Sequence, residues 1–248
     1  MDLIKKGSHT AKEGFKNERD IVKKFNNWKK DKEAQDWLII MDYELSEIEY
    51  VEAIIISAYK TDVQVQIKIK LKKAIDVENL QIKLVSNLKG FNQIDKRWVD
   101  KYQEMWNIPF DITEILKKYT GEIAPTIKNP KDSRRMFINE FSEKTQKKLL
   151  NWFENNKFLI INDIIKGRGK FASEWMLVVQ KIETNSRWIL KTINIVINHF
   201  SNGNVIVTKR GNIKIGKITM QRKGGDAGRK TSQMLQFKIN PAELFDIG

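Results

Sequence analysis

The stretch Val63-Gln64-Val65-Gln66-Ile67-Lys68-Ile69-Lys70-Leu71, with Leu80-Gln81-Ile82-Lys83-Leu84-Val85-Ser86 after it, decides the fold. Apolar side chains fill every odd position of the first segment, and Gln or Lys every even one. A period of two is the mark of a strand with one face buried and one face wet. The polar run Asp76–Asn79 predicts a turn, and Leu80–Ser86 a second strand. On that strand Gln81 and Lys83 point together, while Leu80, Ile82 and Leu84 go to the other side. Asp62 stands at the entrance of the first strand. If the two strands pair through the turn, Asp62, Gln81 and Lys83 meet at one place.

Outward from this pair, residues 10–30 read as a helix with Phe15, Val22, Phe25 and Trp28 on its apolar stripe. Helices are expected at about 94–107, 111–119 and 143–156, the last opened by Ser142, and a short one over 158–166 is closed by Gly167. Trp175–Ile182 reads as a strand and 191–200 as a helix. The tail is β-rich, over Val205–Thr208, Ile213–Arg222 and Met234–Ile239. The plan is α/β or α+β. With no internal repeat, and with Thr120–Arg135 as the one long candidate loop, residues 1–248 are expected to form a single domain.

Composition narrows the chemistry. The formal net charge is +14. It is lopsided: residues 1–59 hold ten basic and twelve acidic side chains, whereas residues 201–248 hold nine basic and three acidic. Such a field favours a polyanion, with nucleic acid ahead of an anionic membrane surface. No cysteine is present, which excludes a disulfide scaffold, a thiolate zinc site and a cysteine nucleophile. His9 and His199 are the only histidines, too few for a histidine-built metal centre in one chain. Without a spanning apolar run or a secretory segment, a cytoplasmic protein that avoids membranes is expected.

An aspartate, an amide oxygen and an ammonium are what metal-dependent phosphodiester hydrolysis uses. Hard oxygens hold Mg²⁺, the ion activates water, and the ammonium stabilises developing negative charge. On spacing alone, a solvated strand face explains the same residues. Gln221, Arg222, Lys223 and Asp226 lie at a strand end and glycine turn of the most basic segment. Arg or Lys matches guanine in the major groove, and a carboxylate can accept from cytosine; a charged turn touching only phosphate or water is the alternative. Phe91, Asn92 and Gln93 follow the second strand by way of a glycine. Phe91 is placed to stack on or wedge between bases, or else to pack in the core. Lys96, Arg97, Lys131, Arg134, Arg135, Arg168 and Lys170 are assigned loosely to phosphate. Trp98, Tyr102, Trp106, Trp152 and Trp175 are read as core.

Five ordered blocks carry a resemblance. They are Gly14-Phe15-Lys16-Asn17-Glu18, Thr61-Asp62 with Gln81-Ile82-Lys83, Gly90-Phe91-Asn92-Gln93-Ile94-Asp95-Lys96, Gln221-Arg222-Lys223-Gly224-Gly225-Asp226, and Met234-Leu235-Gln236-Phe237-Lys238. Together they resemble the small Type II restriction endonucleases of the HinP and MspI group, within the PD-(D/E)XK nucleases, and most of all the HinP-type enzymes that read GCGC. The resemblance implies a restriction-endonuclease-like mixed central sheet flanked by helices, with a β-rich carboxyl-terminal segment that reads DNA. It implies Mg²⁺-dependent cleavage of double-stranded DNA at a G/C-only palindrome, leaving 5′-phosphates. Asp62, Gln81 and the Ile82 carbonyl would hold the ion and Lys83 would assist attack. Glu18, on the helix row of Phe15 and Val22, would help bind the metal or anchor Lys83, unless its carboxylate lies in water at the edge of the stripe. The superfamily carries Asp or Glu where Gln81 stands, which leaves the site less negative. The setting implied is a prokaryotic restriction–modification system with a methyltransferase encoded nearby, the nuclease itself a monomer or weak dimer. A repair or mismatch nuclease of the same superfamily, and a non-catalytic basic DNA-binding protein, are the rival readings.

Overall fold

The computed structural model of the protein describes residues 3–56, 64–182, 184–225 and 228–247. In chain order it runs α1 (Leu3–Asn26), α2 (Lys32–Ile40), β1 (Ile48–Ile56), β2 (Gln64–Leu71), β3 (Ile75–Val85), β4 (Asn92–Arg97), α3 (Val99–Trp106), α4 (Phe110–Thr120), α5 (Glu143–Asn155) and α6 (Lys157–Ile165). Then come β5 (Trp175–Ile182), β6 (Asn185–Thr192), α7 (Ile193–Ser201), β7 (Val205–Val207), β8 (Ile213–Ile215), β9 (Ile218–Arg222) and β10 (Leu235–Ile239). Two compact units result, one from Met1–Gly90, Lys166–Val196 and Asn240–Gly248, the other from Phe91–Ile165 and Ile197–Ile239.

The first unit is built on a mixed sheet of order β1-β2-β3-β5-β6, in which β3 and β5 are parallel and the other neighbours antiparallel. The alternation in β2 behaves as expected: Val65, Ile67 and Ile69 are fully buried and Lys68 and Lys70 exposed. Burying each of these three side chains contributes about 1.5–3 kcal/mol, and a one-residue slip would turn all of them to water. They join Leu80, Ile82, Leu177 and Val179 in one core, covered by Ile21 and Phe25 of α1, Trp28 in the turn after it, and Trp37 and Leu38 of α2. The α1 stripe is thus rotated from the expected one: Phe15 is half exposed and Ile21 buried. Asn26 fixes the helix to β1, donating to the Ala53 carbonyl at 3.1 Å and accepting from its N–H at 2.7 Å.

Three local expectations fail, each for a tertiary reason. The turn lies at Lys72–Ala74, closed by Leu71 N donating to the Ala74 carbonyl at 2.8 Å, and Asp76–Asn79 is strand. Those polar residues have partners from distant segments. The Tyr43 hydroxyl bonds Glu78 at 2.8 Å, the Trp175 indole donates to Glu78 at 2.9 Å, and the Asn79 amide donates to the carbonyls of Lys170 and Ala172. Residues 94–97 are strand rather than helix, because β10 pairs with them; the helix begins at Val99. The expected strand 213–222 is a hairpin of β8 and β9. It turns at Gly216 (φ +57°), where a Cβ would stand 2.5 Å from the Phe200 carbonyl, so only glycine fits. Elements α2, β1 and β6 were not foreseen.

The second unit carries an antiparallel sheet of order β4-β10-β9-β8-β7. Tyr102 and Trp106 of α3 stack at 4.7 Å and meet Phe237 of β10 edge-on, and the Trp106 indole donates to buried Asp163 of α6 at 2.8 Å. Ser142 caps α5 by accepting from Thr145 N, as expected. The expected α/β class with a mixed sheet and helices holds. No helix among the described residues is long and apolar enough to cross a membrane.

Candidate functional site

In the first unit the antiparallel register sets Gln64 opposite Gln81 and Val65 opposite Leu80, so the two strands of the diagnostic stretch do pair. Asp62, two residues ahead of Gln64 in sequence, lies outside the described residues. Strand β3 is the centre of its sheet, and β5 covers its other edge with Lys83 beside Val178. Alternation sends Leu80 and Ile82 into the α1 core and Gln81 and Lys83 to the opposite face. Gln81 is 4% exposed and Lys83 7%, so neither belongs to a solvated strand face. An ammonium at that depth costs several kcal/mol unless opposite charge or hydrogen bonds compensate it; neither residue is without a partner.

The same face continues to Gln180, opposite Val85, and to Arg187, opposite Gln180. Arg187 donates Nε and Nη2 to the side-chain Oε1 of Gln180 at 3.1 and 3.0 Å, and its guanidinium lies 4.2 Å from the ring centre of Phe245. Phe245 belongs to the closing turn Pro241–Asp246, which packs on β3 and β5. No sequence signal marks this array, since it arises only from the strand register.

Glu18 is placed on α1, whose buried stripe covers the Leu80 and Ile82 face, the reverse of the face carrying Gln81 and Lys83. Two residues on, Asp20 meets Lys181 of β5 at 3.8 Å. Among the described residues no group of three or more His, Cys, Asp or Glu side chains is arranged to hold a metal ion. A cation at β3 would therefore rely on Asp62, with the Gln81 amide oxygen and the Ile82 carbonyl as neutral donors. All of these are hard oxygens, which fit Mg²⁺ and leave room for bound water. Nearby, burial raises the Glu78 carboxyl above the ordinary carboxylate range against the bonds from Tyr43 and Trp175, and the charges of Glu174 and Asp76 add to the rise.

The second unit sorts the expected DNA contacts by strand face. Gln236 of β10 stands opposite Lys96 on one side and Gln221 on the other, and Lys238 stands opposite Gln93 and Thr219. Gln93, Lys96, Thr219, Gln221, Gln236 and Lys238 therefore line one polar face. Arg222, opposite Leu235 with Arg97 beyond, turns to the other face. Its Nε donates to the Ser232 carbonyl at 3.1 Å. Lys223 follows at the strand end, its N–H on the Met234 carbonyl and its own carbonyl accepting from the Gln236 amide at 3.3 Å. Gly224 and Gly225 then take positive φ. Asp226 lies outside the described residues. Asn92 pairs with Ile239, and Phe91 is 50% exposed, so it is not a core residue. Ser232, which braces Arg222, carries no signal in the sequence, and Gln236, which bonds the Lys223 carbonyl, stands out there only as part of a quoted block.

Comparison with known proteins agrees with this layout. The family model described as R.HinP1I restriction endonuclease matches residues 41–245. A solved chain of the restriction endonuclease MspI, in complex with its cognate DNA, superposes with a TM-score of 0.64 at 16% identity, over 96% of this chain and 93% of that one. That likeness shows the fold. No curated protein matches the chain.

Proposed function

The chain belongs to the R.HinP1I restriction endonuclease family, and from that premise we propose that it cuts both strands of DNA at a short palindrome of G·C pairs, GCGC, leaving 5′-phosphates. The observation that carries the reading is the burial of Gln81 and Lys83 on one face of the central strand, with Gln64, two residues after Asp62 in sequence, opposite Gln81. A buried amide and ammonium so placed serve chemistry better than stability, since apolar residues would pack there at lower cost.

In this reading Asp62, Gln81 and the Ile82 carbonyl would hold Mg²⁺, which when bound would lower the pKa of a water and offset charge on the phosphate. Lys83, fixed by the strand, orients the attacking water and stabilises the charge that develops on the phosphoryl oxygens. Glu18, on the helix that packs against the reverse of β3, acts in this reading by holding that strand in place rather than by touching the ion. The polar face of β4, β10 and β9 reads bases through Gln93, Lys96 and Gln221; Arg222 contributes from the other face at the end of β9, with Lys223 and Asp226 after it and Phe91 and Asn92 at the start of β4. Both units act as one endonuclease domain on double-stranded DNA. The enzyme works in a prokaryotic cytoplasm as a monomer or weak dimer, without a stable complex with the companion methyltransferase encoded nearby.

Asp62→Asn tests the core of this. It removes a charge and keeps the shape, so folding and most DNA affinity are retained while cleavage of unmodified phage DNA with Mg²⁺ is abolished. Discrete bands from the unaltered protein are expected. Full cutting by the variant, checked beside its circular dichroism and its DNA binding in chelator, would remove the metal role.

A further inference from the structure

Two arginines of the second unit meet one carboxylate, and a third, Arg222, lies within their electrostatic reach. Arg134 takes Asp132 in a fork, Nε to Oδ1 at 2.9 Å and Nη2 to Oδ2 at 3.0 Å, and holds that carboxyl down to about 2. Arg135 approaches the same carboxylate only to 3.7 Å. Its guanidinium instead lies 4.1 Å from the ring centre of Phe137 and 5.6 Å from that of Tyr119, and its Nε is buried with no hydrogen-bond partner. Tyr119 carries the contact to β9, its hydroxyl bonding the Met220 carbonyl at 3.3 Å. Two residues on, Arg222 is fixed by Ser232. Burial first, and then the charges of Arg135 and Arg134, depress the Arg222 guanidinium.

The cluster thus holds three cations against one anion, and that anion is committed to Arg134. Arg134 is exposed, but Arg135 and Arg222 are part-buried, and like charges so placed repel unless a counter-charge arrives. Aromatic stacking keeps the Arg135 plane rigid, and a rigid guanidinium fork matches a phosphate oxygen pair. We propose that Arg135 binds a backbone phosphate of the DNA, beside the base contact made by Arg222, and that this phosphate neutralises the cluster. The proposal rests on the reading of the protein as a DNA endonuclease.

The test uses the full chain carrying Asp62→Asn, in chelator, with cognate and scrambled duplexes titrated over a range of salt. Arg135→Gln should weaken both duplexes by the same factor and make the slope of log affinity against log salt shallower by roughly 0.9, one phosphate's worth. Arg135→Lys should restore the slope. Arg135→Met, which keeps an unbranched chain on Phe137, should match Arg135→Gln if the latter folds poorly. Inorganic phosphate should raise the melting temperature of the parent more than that of Arg135→Gln. An unchanged salt slope overturns the proposal, as does a loss confined to the cognate duplex. A lost phosphate effect with an unchanged DNA slope makes the pocket a free-oxyanion site and overturns it too. Failure of the base reading looks different: Arg222→Ala would then weaken all sequences alike, with the Arg135 result intact.

Discussion

Arg222 is the residue at which base reading and backbone contact separate. Its Nε edge is spent on Ser232, so the outer edge of the guanidinium remains for a partner. If that partner is guanine, Arg222→Ala should cost about 1–3 kcal/mol on the cognate duplex and little on a scrambled one, measured by titration at fixed salt. The residue type was legible in the sequence, since basic side chains beside a glycine turn suggest DNA. Its brace was not, because Ser232 and Arg222 are brought together only by the pairing of β9 with β10. The same holds for Gln81 and Lys83. Their shared face followed from strand alternation, but their burial followed from β5, which no local pattern ties to β3.

Among the elements, β3 tests how polar residues survive inside a strand. The Glu78 carboxyl is raised by burial, so the folded state holds its proton to higher pH than the unfolded chain does. Glu78 therefore disfavours folding as pH rises through and above the ordinary carboxylate range, and its full contribution is present only below it. Glu78→Gln keeps an acceptor for Tyr43 and Trp175. Its melting temperature should fall less than the parent's between pH 4 and pH 7, values taken roughly from the ordinary carboxylate range. The carboxyl end of α4 offers a second check. Gly121 has φ +87°, and a Cβ there would meet the Arg134 carbonyl at 2.4 Å. Gly121→Ala should cost at least roughly 1–3 kcal/mol in denaturant unfolding and disturb the turn that carries Arg134 and Arg135. The period of β2 could be read directly, because one of its faces is wet. Asp76–Asn79 looked like a turn because their partners, Tyr43, Trp175 and the 170–172 segment, are distant in sequence.

For the whole molecule, a net charge of +14 predicts that DNA affinity is dominated by released counterions. Raising salt from about 50 to about 200 mM should weaken cognate binding by roughly a thousandfold or more if six or more phosphates are contacted. A shallow slope in the same titration would mean that the charge serves solubility. The unit carrying Gln81 and Lys83 is assembled from three separate stretches, Met1–Gly90, Lys166–Val196 and Asn240–Gly248. Parallel pairing of β3 with β5 joins residues more than ninety positions apart, the kind of contact that forms slowly. During synthesis, then, the strand that bears the proposed chemistry has no neighbour on one side until the ribosome has passed Ile182, and its closing turn is missing until Pro241–Asp246 has emerged. An amino-terminal fragment that stops short of β5 would therefore leave Lys83 at an open strand edge, without the neighbour that buries it.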